Sequence, residues 1–199
     1  MNIFRHMFEP GWIGQPGDCI AVVWTVWLVS WLAASLWSRR VAARASLAQE
    51  LPYRLLTVVG IFLQFGFFQL AALPRLWPSP PELLWAMLAL VVTGFLFAWW
   101  ARLHLGALWS GTVTRKDDHR IVESGPYAIA RHPIYTGLLL ASFATAIALG
   151  RLETIAGACL FALGCWLKAR IEEGLLSETL GAEYQAYRAR VPMLVPLLK

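Results

Sequence analysis

The chain has 199 residues, of which 58% are apolar and 15% charged, with 11 Trp and a mean hydropathy of +0.57. Soluble domains average about 45–50% apolar residues, so the composition excludes an ordinary soluble domain and predicts a polytopic membrane protein. A formal charge of +5 does not point to nucleic acid, because no basic stripe is interleaved with exposed aromatics and the positive charges are spread among loops.

The first long apolar run, 19–37, has no formal charge and is bounded by Asp18 and the Arg39-Arg40 pair, which meets the length of a spanning helix. Residues 1–18 lack a basic n-region and a small-residue cleavage site, so this run is expected to stay as an anchor. A polar stretch, 39–54, leads to a second run, 55–73, closed by Pro74, Pro78, Pro80 and Pro81; a third follows at 83–101. Gln64 and Gln69 in the second run are expected to seek partners on neighbouring helices.

The remaining runs, 134–150 and 154–167, are separated only by the segment carrying Arg151 and Glu153, and so tight a connection predicts an antiparallel helix pair. The expected fold is therefore all-α and integral to the membrane, with about five transmembrane helices. The last of these is expected to run past Lys168 to Glu172 and Glu173 into a helical, amphipathic carboxyl-terminal segment. No internal repeat or low-complexity tract is seen, and 1–199 reads as a single membrane domain. Cys19, Cys159 and Cys165 show no metal-ligand spacing and lie in apolar surroundings, so they read as packing residues and no metal is expected.

All Lys and Arg except Arg5, Arg75 and Arg151 fall in the loop after the first run, the region between the third and fourth runs, or the tail. The positive-inside rule then predicts an external amino terminus, with those loops and the tail in the cytoplasm.

Two stretches are not explained as membrane filler. Residues 119–137, HRIVESGPYAIARHPIYTG, place a Gly-Pro-Tyr turn and an Arg-His-Pro triplet between hydrophobic segments. Pro133 pushes His132 out of helical geometry, so a helix is expected to begin just after it with His132 at its entrance. Backbone donors at such an entrance can receive a carboxylate, while His119 and Tyr127 offer polar and aromatic contacts to a heterocycle or ribose. The second stretch is Glu172-Glu173 followed by GAEYQAYRARVP at 181–192. Either glutamate could accept hydrogen bonds from an amine or a ribose hydroxyl; the rest reads as a loop, an amphipathic turn and a Pro stop. Taken alone, each stretch also reads as a capped loop or a solvated helix end.

The ordered set HRIV, GPY, RHPIYTG, EE and GAEYQAYRARVP resembles the isoprenylcysteine carboxyl methyltransferase family and its wider membrane methyltransferase relatives, which include phospholipid methyltransferases. The resemblance covers approximately 112–196. It implies an integral membrane enzyme that uses S-adenosylmethionine, with the active site facing the cytoplasm and a lipid-side entrance for a lipophilic or prenylated substrate. By motif position, the cofactor would be contacted by His119, Arg120, Ile121, Val122, Tyr127, His132, Pro133, Ile134, Tyr135 and Glu172. Similar eukaryotic members carry an arginine four residues before the glutamate, thought to orient the substrate carboxylate; this chain has Lys168 there, with Arg170 nearby but out of register. Lys keeps the charge and loses the bidentate fork. No catalytic base is assigned, since methyl transfer to a carboxylate needs none; an amine or thiol acceptor would call on His119, His132 or a tail glutamate. The main expectation is methylation of a prenylcysteine-type carboxylate. The alternatives are a phospholipid amine, a small thiol or a non-catalytic membrane scaffold.

Overall fold

The computed structural model describes residues 16–36, 43–44, 46–65, 75–106, 114–115 and 121–196. Its elements in order are α1 (Pro16–Ser35), β1 (Ala43–Arg44), α2 (Leu47–Gln64), α3 (Pro81–Leu105), β2 (Thr114–Arg115), a 3-10 turn (Gly125–Ala128), α4 (Pro133–Leu149) and α5 (Leu152–Arg190). The protein is an all-α membrane protein, and the two strands among the described residues amount to a two-residue antiparallel ladder, Ala43 opposite Arg115 and Arg44 opposite Thr114. That ladder brings the loop after α1 to the loop after α3. Among the described helices, Asp18–Ser35, Pro81–Leu105 and Leu152–Arg190 are long and apolar enough to cross a membrane, and Pro133–Leu149 is a shorter apolar helix.

Local sequence explains most helix ends. Pro81 and Pro133 stand in the first turns of α3 and α4, where the missing N–H costs nothing. Gly150 ends α4 in the left-handed region at φ 60°, and a side chain there would strike Trp77. α2 starts inside the stretch expected to be polar, because Ser46 and Gln49 form a reciprocal capping box. Residues 66–73, the remainder of the second run, and Gln69 with them, lie outside the described residues. α5 continues as helix where a loop was expected, bending at Gly181 (φ 52°, ψ −125°) and ending at Arg190, two residues before Pro192.

The helices pack as α2 on α5, α3 on α4, and α4 on α5, with α1 against α3. Glycines set the two closest crossings. A Cβ on Gly94 would run into the Gly137 carbonyl and one on Gly137 into the Gly94 carbonyl, so α3 and α4 touch through backbone. Gly60 faces Gly157, and Gly164 faces Thr57 and the Tyr53 carbonyl, joining α2 to α5. In a membrane, where no hydrophobic effect drives helices together, such small-residue contacts supply dispersion through close approach. Gln64 does find its helix partner: its amide donates to the Ser142 carbonyl at 2.7 Å and accepts from the Ser142 hydroxyl at 2.8 Å.

Arg102, expected among loop charges, is instead buried in the last turn of α3. Its guanidinium donates to the Gly106 carbonyl at 2.7 Å and the Ala34 carbonyl at 3.0 Å. It thereby serves the carboxyl-terminal ends of α3 and α1, where helix carbonyls lack internal partners. At the other end of the bundle Arg75 bridges Arg151, and Trp77 donates to the Ile147 carbonyl at 2.9 Å. Two of the three basic residues set apart from the main basic loops thus lie together, away from the β1–β2 ladder.

Candidate functional site

The entrance of α4 and the middle of α5 meet at the polar end of the bundle. His132 is the residue before α4, at φ −121° and ψ 63°, and its side chain makes no cap bond. The pre-proline restriction keeps it out of the helix, which turns the imidazole towards α5. There it is buried between two carboxylates, Nδ1 lying 3.4 Å from Glu172 Oε2 and Nε2 3.4 Å from Glu173 Oε1. The Nε2 contact is an ion-pair distance outside hydrogen-bond geometry. Burial works against a charged imidazole here, but the two adjacent carboxylates of Glu172 and Glu173 outweigh it, so the pKa of His132 sits above its ordinary value.

Tyr135, one turn into α4, lies flat against His132, ring centroids 5.5 Å apart and planes within 8°. Its hydroxyl donates to Glu172 Oε1 at 2.8 Å. Lys168 is one helical turn before Glu172 and 3.9 Å from it, with its ammonium 5.4 Å from the Tyr135 ring centre and 5.8 Å from that of Tyr53 on α2. Both rings present their faces to the cation. Arg170 points elsewhere: it is exposed and lies against Trp166. Of the two basic residues expected to meet substrate, the fold brings only Lys168 into the cluster.

Around this cluster the chain folds a strap from its own tail. The backbone N–H groups of Arg131 and His132 donate to the carbonyls of Pro192 at 2.9 Å and Met193 at 3.0 Å, and Thr136 Oγ1 donates to the Leu194 carbonyl at 2.5 Å. The Arg131 side chain donates to Glu173 at 2.7 Å and to the carbonyls of Arg188, at 3.1 Å, and Val191. Tyr187 adds a bond from its hydroxyl to the Tyr127 carbonyl at 2.7 Å. The motif GAEYQAYRARVP thus gains a physical role, which is to lay residues 191–194 across the α4 entrance.

Tyr127 is buried beside Ala101 and Ile134, with Val122 packed against them and the ring of His104 stacked at 6.4 Å. Burial foremost, and then the nearby Glu172, raises the Tyr127 pKa, so its hydroxyl stays protonated. Ile121 lies partly buried at the start of the same segment, and Pro133 begins α4. His119 and Arg120 lie outside the described residues. Residues that the motifs did not single out as contacts are Arg131, Glu173, His104 and Tyr53. The first two were visible as parts of RHP and EE; the others carry no local signal. Among the described residues no group of three or more His, Cys, Asp or Glu could hold a metal ion.

Fold and site together define a helical membrane protein with a charged, enclosed cluster at one end of an apolar bundle. Residues 87–177 match the model of the isoprenylcysteine carboxyl methyltransferase (ICMT) family, the family that the motifs resemble. The chain is 36% identical over 88 residues to a protein-S-isoprenylcysteine O-methyltransferase of Schizosaccharomyces pombe, covering 42% of this chain and 36% of that one. With the rat protein of the same description it shares 33% over 132 residues, covering 62% of this chain and 45% of the relative. It is also 45% identical over 76 residues to methanethiol S-methyltransferase 2 of Bradyrhizobium diazoefficiens, covering 36% of this chain and 27% of that one. These matches span less than half the length of each relative. Among solved structures, the eukaryotic intramembrane Ras methyltransferase ICMT (without a monobody) has a similar fold, with a TM-score of 0.58 and 21% identity over 93% of this chain and 69% of that one.

Proposed function

We propose that the chain transfers a methyl group from S-adenosylmethionine to a lipophilic acceptor, in the first place a carboxylate such as that of a prenylcysteine. The observation that carries this reading is convergence: His132, Tyr135 and Glu172 meet the cation of Lys168 at the end of an apolar bundle. The donor set suits the cofactor. The first turn of α4 has no side-chain cap, so its backbone N–H groups suit an amino-acid carboxylate, and Glu172 suits an amine or ribose hydroxyl. Tyr127 and the neighbouring Ile121, Val122 and Ile134 supply the apolar and aromatic wall. The cofactor-binding part is 112–196 of one membrane domain.

When bound, S-adenosylmethionine supplies an already activated sulfonium methyl. The protein's task is then alignment, exclusion of water and compensation of charge. Lys168, 16% exposed at its side chain, offers a fixed cation to an acceptor carboxylate, and the strap 191–194 closes the α4 entrance against solvent. No residue needs to remove a proton. A second reading, a small thiol acceptor, is supported by the 45% identity to the methanethiol enzyme; a thiol must lose its proton, for which neutral His132 or a glutamate of α5 is the candidate base.

The distribution of basic residues supports a cytoplasmic site and an external amino terminus. Reporter fusions at Arg44, Asp117 and Lys199 test this, and all three are expected in the cytoplasm. For the activity, purified protein is incubated with methyl-labelled S-adenosylmethionine and a panel of prenylcysteine carboxylates, thiols and phospholipid amines. Base-labile label on the carboxylates is the expected result; label on a thiol alone selects the second reading, and label on neither rejects both.

A further inference from the structure

We propose that Arg54 of α2, positioned by Glu50, supplies the guanidinium that receives the acceptor carboxylate alongside Lys168. This rests on the carboxylate reading above and names a residue for it on a helix outside the motif region. The starting observation is a chain of contacts that crosses from α2 to the cluster. Glu50 pairs with Arg54 at 2.5 Å; Arg54 directly follows Tyr53 on α2; the Tyr53 ring faces the Lys168 ammonium; and Lys168 faces Tyr135 and Glu172. Two cations therefore flank one buried tyrosine.

Helix packing explains the placement. α2 and α5 run antiparallel with Gly60 opposite Gly157 and the Tyr53 carbonyl opposite Gly164. Near the start of α2, Glu50 and Arg54 flank Tyr53 in sequence, and the Tyr53 ring lies 5.8 Å from the Lys168 ammonium. Arg54 is thus carried to the level of the cluster by the same glycine contacts that let the helices touch.

The Glu50–Arg54 pair differs from an ordinary surface pair. The Glu50 side chain is only 5% exposed while that of Arg54 is 48% exposed, and among the described residues the second oxygen of Glu50 has no hydrogen-bond partner. Burying a carboxylate in a helical bundle is costly, and here, among the described residues, it pairs with the Arg54 guanidinium. The consequence is orientation: one Nη is held by Glu50, and the rest of the planar fork stays accessible. A fork of this kind matches a carboxylate through two parallel N–H···O bonds, which an ammonium cannot do. Arg54 therefore offers from α2 the two-pronged geometry that the Lys168 ammonium lacks. The competing use of a half-exposed arginine is to reach lipid phosphate.

The test is calorimetric binding in detergent of an N-acyl prenylcysteine and of its methyl ester, with the full chain and with Arg54→Met, Arg54→Lys and Glu50→Gln. The parent is expected to prefer the carboxylate. Arg54→Met should weaken carboxylate binding by about tenfold or more, the scale of a lost charge-assisted hydrogen bond, and leave the ester and S-adenosylmethionine within about twofold. Arg54→Lys should recover part of the loss, and Glu50→Gln should fall between parent and Arg54→Met. Unchanged carboxylate binding in Arg54→Met, an equal loss for acid and ester, or a parent that does not prefer the acid overturns the proposal. An effect of Arg54→Met confined to stabilisation by anionic phospholipid also overturns it and assigns the residue to headgroups. Methyl transfer measured in the same samples reports separately on the reaction, so selective binding without transfer rejects the activity and keeps the site.

Discussion

Arg131 and Glu173 stand 42 residues apart in the chain and 2.7 Å apart in the structure, both with side chains less than a tenth exposed. Because Arg131 also holds the carbonyls of Arg188 and Val191, this one pair joins the α4 entrance, the middle of α5 and the tail strap. Removing one partner from a buried pair leaves an uncompensated charge, at about 3–5 kcal/mol. Arg131→Met is expected to lower unfolding stability in detergent by that order. Arg131→Met with Glu173→Met should lose less than the sum of the single changes, and strict additivity in the double-mutant cycle would show that the pair carries no coupling.

The second expectation concerns pH. The folded pKa of His132 is raised by its two glutamates against the opposing effect of burial, so the folded state binds the imidazole proton more tightly than the unfolded one, whose pKa is about 6.5. The stabilisation is therefore complete below that value and is lost as pH rises through the folded pKa. The thermal midpoint of the ligand-free protein should fall with rising pH in this window, and His132→Gln should flatten the fall. An unchanged slope in His132→Gln would mean that another group governs it.

How much of this was readable in advance divides by sequence distance. The helix start at Pro133, the Gly150 stop and the end before Pro192 follow from local backbone chemistry and were legible. The start of α2 was not, because Ser46 and Gln49 lie in a charged stretch where hydropathy argues against a helix. Arg102 read as a loop charge since burial of an arginine depends on carbonyls of two helix ends, one of them 68 residues away. His132 and Glu172 were expected to converge through motif resemblance and topology. The involvement of Tyr53 was hidden because its position depends on the glycine contacts between α2 and α5.

The glycine contact between α3 and α4 provides a third test. A methyl group on Gly94 or Gly137 would meet a carbonyl of the facing helix, and overpacking of this kind costs about 1–3 kcal/mol. Gly94→Ala and Gly137→Ala are each expected to lower stability, whereas Gly174→Ala, where nothing lies within 4 Å of the added atom, should be neutral or slightly stabilising. Equal effects at all three positions would contradict the close crossing of α3 and α4.

Gln64 and Ser142 exchange two hydrogen bonds across α2 and α4. Interhelical polar pairs in membranes couple by about 0.6 kcal/mol on average, so a cycle of Gln64→Leu and Ser142→Ala should give a coupling of this order. Absence of any coupling would reduce the pair to simple packing.

His132, Tyr135 and Glu172 are proposed to hold S-adenosylmethionine. The most direct measurement of this is calorimetric titration of the cofactor into the purified chain, Glu172→Ala and His132→Ala. The parent should bind, and Glu172→Ala should lose about 1.5–3 kcal/mol, the contribution of a charged hydrogen bond, with His132→Ala also weakened. Cofactor affinity that is the same in all three proteins, or absent from the parent, would contradict the site.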